Sequence, residues 1–200
     1  IYRQTGAWEK LQALEPRLRT TRGIKTAALD EAVAQIYLDR LKALSLEADR
    51  DALASAWKST PRSLTRRADI VVAYARAAMA CGEQATAETA LCDFLDEHWV
   101  EAAVLALGEL EPAGPLGAPE RAERWLHDHR DDATLLLSCA RLAMQAELYG
   151  KARSFLETSI AIRPRLEAYQ LLASLMEQLG EPERANQALH EALVHALGRK

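Results

Sequence analysis

Between Ala28 and Leu44 the chain reads ALDEAVAQIYLDRLKAL, with apolar residues at Leu29, Val33, Ile36, Tyr37, Leu41 and Leu44. Steps of three and four residues place them on one stripe of an α-helix. Asp49 to Lys58 reads as the next helix, with Leu53, Ala56 and Trp57 apolar. Pro61, in KSTPRSLTRR, interrupts the pattern, because proline cannot sit in a helix interior. A helix restarts in SLTRRADIVVAYARAAMAC, with Ser63 expected as its cap and Gly82 as its stop. TAETALCDFLDEHW follows. EPAGPLGAP, Glu111 to Pro119, is the strongest loop signal. Beyond it the pattern predicts helices over Pro119–His129, Ala133–Ala146, Lys151–Ile162, Leu166–Leu179 and Glu183–Leu197. Runs of Val, Ile and Tyr that would suggest strands are almost absent, so the expected class is all-α.

One phrase recurs. ARAAMACGEQATAETALCDFL, LAMQAELYGKARSFLETSI and LMEQLGEPERANQALHEAL each read as helix, tight turn, helix. Aligned on the small residue opening each second helix, Ala87, Ala152 and Ala185, the turn falls five residues earlier, at Gly82, Glu147 and Gly180. A leucine falls four residues later, at Leu91, Leu156 and Leu189. Ala122 in APERAERWL marks a degenerate unit, and TGAWEKLQAL reads as the second helix of an incomplete hairpin. One hairpin cannot bury its own apolar face, so copies must stack. The expected organisation is a single repeat domain over 1–200, with divergent hairpins over 1–61, repeats over 62–100, 131–164 and 165–200, and a degenerate repeat over 101–130. The opening IYRQTGAWEKL reads as the interior of a hairpin, so the chain is expected to be the C-terminal part of a longer protein.

The chain is 49% hydrophobic and 27% charged, with a formal net charge of −4. The first hundred residues hold 14 basic and 14 acidic groups and the second hundred 11 and 15, which is not the composition of a nucleic-acid binder. Cys81, Cys92 and Cys139 form no C-x-x-C pair and read as reduced thiols within helices. No run of eighteen apolar residues is present.

Candidate chemistry is sparse. His127 and His129 are two apart and His190 and His195 five apart, so neither pair shares a helix face as metal ligands would. No G-x-G-x-x-G follows a strand, and no serine sits in a strand–turn–helix elbow. Asp131 and Asp132 open a helix, where carboxylates suit the dipole. No catalytic residue, metal ligand or cofactor ligand is assigned, and an enzyme is not expected. Lys58, Arg62, Arg66 and Arg67 put four positive charges in ten residues without an acid between them. They read either as a solvated helix start or as a patch for a partner or for anionic lipid headgroups. At the start of a helix they would oppose its dipole, so local stability does not account for them.

The repeats resemble the tetratricopeptide family. Tyr169, Leu172 and Ala173 match its first helix, and Gly180 at the turn with Pro182, Ala185, Leu189 and Ala192 beyond it continue the match; Leu136 departs by replacing an aromatic. The resemblance implies a right-handed superhelical solenoid of antiparallel helix pairs, whose first helices line a groove. The groove positions fall on Asp69, Val72, Arg76 and Met79; on Thr134, Leu137, Arg141 and Met144; and on Glu167, Gln170, Ser174 and Glu177. Arg76 and Arg141 each stand three residues before a methionine, combining a fork for carboxylates with an adaptable apolar group. The named partner-binding candidates are Arg76, Met79, Arg141, Met144, Leu137, Arg62, Arg66 and Arg67. The Lys/Asn clamp for C-terminal carboxylates is missing, since Val72 and Arg76 occupy its places.

In order along the chain, TGAWEKL, AWKSTPRSLTRRADIVVAYARAAMACG, LYGKARSFLETSIAIRP and AYQLLASLMEQLGEPERANQAL are similar to the C-terminal region of the bacterial HemY family. That resemblance implies a parent anchored in the inner membrane and an accessory role among protein partners of late haem biosynthesis; the side that the repeats face stays open, with the cytoplasmic face favoured. It does not extend to the flavin-dependent oxidase of the same name, whose nucleotide-binding glycines are missing. It raises haem or a porphyrin as a groove ligand, without naming a residue, and leaves a peptide-binding adaptor unrelated to haem as the alternative.

Overall fold

The computed structural model describes residues 26–111 and 117–198. They form ten α-helices and, among the described residues, no strand. The helices are α1 (Thr26–Glu47), α2 (Arg50–Lys58), α3 (Ala68–Ala80), α4 (Gln84–Glu97), α5 (Glu101–Leu107), α6 (Ala118–Trp125), α7 (Ala133–Gln145), α8 (Tyr149–Ile162), α9 (Leu166–Gln178) and α10 (Pro182–Leu197). The chain divides into two compact units, Ile1–Ala90 and Leu91–Lys200. The fold class is all-α, built from antiparallel helical hairpins.

In the first unit α1 packs on α3 through Leu29, Val33, Tyr37, Leu41 and Leu44, all buried. Ile36 of the same predicted stripe is only half-buried. Asp49 caps α2 by accepting from the Ala52 N–H at 2.9 Å. Trp57 of α2 stacks on Tyr74 of α3, with ring centroids 3.8 Å apart. The sequence placed the start of α3 at Ser63, but the helix begins at Ala68 with Arg67 in the cap position. Residues 62–66 form a turn, in which the Leu64 and Thr65 N–H groups both donate to the Pro61 carbonyl. Proline ends one helix here and nucleates a turn before the next can begin.

The second unit contains two successive hairpins, α7–α8 and α9–α10, and α5 and α6 each pack on α7. The expected helix Pro119–His129 stops at Trp125, and the short α5 lies in a stretch with no predicted helix. α5 packs on α7 at a close crossing. There the Ser138 hydroxyl of α7 donates to the Val104 carbonyl of α5 at 2.6 Å. Gly108 lies against the Ser138 backbone, where an added Cβ would stand 2.9 Å from the Ser138 Cα. α8 is tied to the start of α7 by Ser159, whose hydroxyl donates to the Ala133 carbonyl at 2.7 Å.

The three aligned turns share one geometry. Gly82, Glu147 and Gly180 have φ of 76°, 58° and 75°. The residue after each donates its N–H five residues back: Glu83 to Ala78, Leu148 to Ala143 and Glu181 to Met176, each at 2.8 Å. This is the Schellman closure, which satisfies a carbonyl at the helix end while reversing the chain. Ala87, Ala152 and Ala185 are all buried, so the second helix of each hairpin approaches through a small residue. The expected hairpin helix in TGAWEKLQAL lies outside the described residues, as does most of the Glu111–Pro119 loop.

Candidate interaction surface

In the first unit Arg76 is exposed on α3 and Met79 is half-buried one turn on. Arg67 is engaged: it donates to Glu31 of α1 at 2.9 Å and to Asp69 of α3 at 2.7 Å. The hydrogen bonds it donates to Asp69 and Glu31 raise its pKa further, and the Arg67 guanidinium in turn holds the Asp69 carboxyl below the usual carboxylate range. Arg67 therefore staples α1 to the start of α3. Arg62 and Arg66 are exposed in the preceding turn. Lys58 falls in the last turn of α2, where a cation suits the dipole. Lys58, Arg62 and Arg66 do not start a helix, whereas Arg67 does stand at the cap of α3, where Asp69 and Glu31 neutralise it.

In the second unit the groove positions change character from helix to helix. On α7, Thr134 and Leu137 are buried, and Leu137 sits at 0% exposure in a core cluster with Leu156, Ala168 and Leu175. As a groove contact Leu137 is corrected: Leu105 of α5 packs against this cluster and the surrounding helices close over the site. Arg141 is mostly buried, its side chain 18% exposed, and forms an ion pair with Glu167 at the start of α9. Its fork is therefore occupied within the chain. Met144 is half-buried against the same core. On α9, Glu167, Gln170, Ser174 and Glu177 are all exposed. This face of the second unit is polar and acidic, suited to hydrogen-bonding and cationic groups.

A further polar network joins Asp96, Trp99, Arg121 and Trp125, which the sequence reading left aside, to His129 and Asp132. The Trp99 indole N–H donates to Asp132 at 2.9 Å, and its ring stacks on His129 at 3.7 Å and meets Trp125 edge-on at 5.6 Å. Trp125 donates to Asp96 at 3.2 Å, and Arg121 pairs with the same carboxylate at 2.9 Å. Asp132 also caps α7, accepting from the Thr134 and Leu135 N–H groups. Nearby, Arg163 and Arg165 converge on Glu101 and on the buried Thr134 hydroxyl. A cavity of about 790 Å³ opens beside this network, lined by Trp99, Glu101, His129, Asp132 and Arg163 among others. Its arginines and Asp132 are committed to partners within the chain, so the network reads as a brace around the start of α7.

Cys92 and Cys139 are buried and Cys81 is half-buried, and none of the three forms a disulfide. Burial pushes the Cys139 thiol up to about 12, which makes it a poor nucleophile. Among the described residues no group of three or more His, Cys, Asp and Glu is placed to hold a metal ion. Nor, among them, is any helix long and apolar enough to cross a membrane.

No family model matches the chain. None of the curated proteins matches it. Among solved structures, the crystal structure of MamA protein is similar at 20% identity and a TM-score of 0.49, over 80% of this chain and 90% of that one. The all-α hairpin class stands on the helices and turns described above.

Proposed function

We propose that the chain is a protein-interaction scaffold and does no chemistry of its own. The observation that carries this is the repeated hairpin, closed three times by one turn geometry and leaving a polar first-helix face, Glu167, Gln170, Ser174 and Glu177, open to solvent. Such an architecture spends its core on stacking and offers its surface for contact. The face suits an extended or helical segment of a partner protein that brings cationic or amide groups.

The biological setting we propose is late haem biosynthesis at the bacterial inner membrane. It rests on the likeness of the quoted segments to the HemY family. In that setting the chain holds biosynthetic enzymes near one another and raises their effective concentration. Arg76, Met79, Arg141 and Met144, with Arg62 and Arg66, remain the proposed partner contacts, and Arg141 would have to exchange Glu167 for a partner carboxylate.

Titration of the protein with haemin, followed by visible absorbance, tests the setting against the carrier alternative. The scaffold reading predicts no saturable one-to-one band. A saturable band that weakens in the Arg76→Glu/Arg141→Glu double variant would replace scaffold by carrier.

A further inference from the structure

The turn between α2 and α3 carries two cations that the chain leaves unanswered. The Pro61 carbonyl accepts from the Leu64 and Thr65 N–H groups at 2.9 and 3.1 Å, and the Leu64 carbonyl from the Arg67 N–H at 2.9 Å. The Thr65 hydroxyl adds a bond to the Arg62 carbonyl at 3.1 Å. Leu64 is buried and anchors this single helical turn to the first unit. Arg62 and Arg66, two residues to either side of it, are exposed. Residues four apart on a helical turn share a side, with Cβ atoms about 5–6 Å apart. The two arginines therefore project side by side from a braced backbone.

Elsewhere among the described residues arginines meet carboxylates, as Arg50, Arg121, Arg141, Arg153 and Arg184 do. Beside the turn, Arg67 takes both Glu31 and Asp69. No described carboxylate pairs with Arg62 or Arg66. Lys58, also exposed, suits the end of α2, whereas neither arginine has a helix end to serve. We propose that this turn binds an acidic helical segment of a partner protein, whose carboxylates, four residues apart, meet Arg62 and Arg66. Carboxylates at that spacing stand as far apart as the two arginines, and each guanidinium grips one through parallel N–H groups. Lys58 and the Ser63 hydroxyl, both exposed in the same stretch, add a cation and a donor. An anionic membrane is a poorer match. Attraction there combines charge with apolar anchors, and the leucine of this turn faces the core. The inference rests on the scaffold reading and deepens it by naming the class of partner that the first unit takes. It fails independently, because contact through Ser174 of α9 needs neither Arg62 nor Arg66.

The test is fluorescence anisotropy of a labelled alanine-based helical peptide with glutamates four residues apart, titrated with the full chain at low salt and at about 150 mM salt. The same peptide with glutamines is the uncharged control. The variants are Arg62→Glu/Arg66→Glu and, matched for charge, Lys42→Glu/Arg124→Glu, which reverses two exposed cations elsewhere. Circular dichroism verifies the helix content of both. The expected result is saturable binding of the glutamate peptide at low salt by a chain whose own net charge is −4. Arg62→Glu/Arg66→Glu should weaken it about tenfold or more, added salt should weaken it too, and the matched pair should change it little. No saturable binding at low salt, equal binding of the glutamine peptide, or equal loss in both double variants overturns the proposal. So does the absence of peptide binding while the chain, but not Arg62→Glu/Arg66→Glu, sediments with vesicles of phosphatidylglycerol and phosphatidylcholine, which would make the turn a membrane contact.

Discussion

The Ser138 hydroxyl of α7 donates to the Val104 carbonyl of α5 at 2.6 Å, in the interior of the second unit. Val104 lies in the last turn of a seven-residue helix, where carbonyls run out of partners along their own chain. This bond and the small Gly108 beside it let the short α5 pack closely on α7. Ser138→Ala leaves a buried acceptor short of a donor and is expected to cost about 1–3 kcal/mol. Gly108→Ala drives a methyl into the Ser138 backbone and is expected to cost about as much by overpacking. Urea unfolding of both variants checks this.

The shared turn makes a prediction of opposite signs. Gly180→Ala places a Cβ at φ 75° and should lose about 1 kcal/mol. Glu147 already carries a Cβ at φ 58°, so Glu147→Gly should be neutral or stabilising despite the usual cost of glycine. The chemical denaturation midpoint should fall for Gly180→Ala and stay level or rise for Glu147→Gly.

Cys139 should show itself in alkali. Burial raises its folded pKa from the ordinary value of 9.0 to about 12, so the folded state keeps the neutral thiol. The associated stability is fully present below pH 9 and is lost as pH rises towards 12. Cys139→Ala should flatten that part of the stability–pH curve. In the native protein at pH 8 a thiol reagent should modify half-buried Cys81 first and Cys139 only on unfolding.

Arg67 should behave as a staple between α1 and α3. Its guanidinium lowers the Asp69 pKa, so the contribution of the pair is present above the ordinary carboxylate pKa and lost as pH falls through the lower folded value. Both partners are partly exposed, so Asp69→Asn should cost no more than about 1 kcal/mol at neutral pH. Acid titration of the variant should show a shallower loss of stability below pH 4.

The hairpins and their turns could be read in the sequence because their determinants are local. Gly82 and Gly180 suit positive φ, the small Ala152 and Ala185 suit close approach, and Leu156 repeats at fixed distance. Helix α5 could not be read: Ala103, Val104, Ala106 and Leu107 are all buried, so no polar face marks a period. Ser63 resembled a cap because serine suits one, but Pro61 claims the following residues for a turn. Leu137 looked like a groove residue from its register alone; the packing that buries it comes from residues distant in sequence. The ion pair of Arg141 with Glu167, 26 residues on, and the bond of Trp99 to Asp132, 33 residues on, leave no mark in any local pattern.

The central claim is that the open first-helix face of α9 contacts protein partners. A photo-crosslinking residue placed at Ser174, with exposed Thr158 on α8 as the control, tests it in cells. The account predicts discrete protein adducts from position 174 and few from position 158. Equal labelling from both positions, or none from position 174, would contradict it.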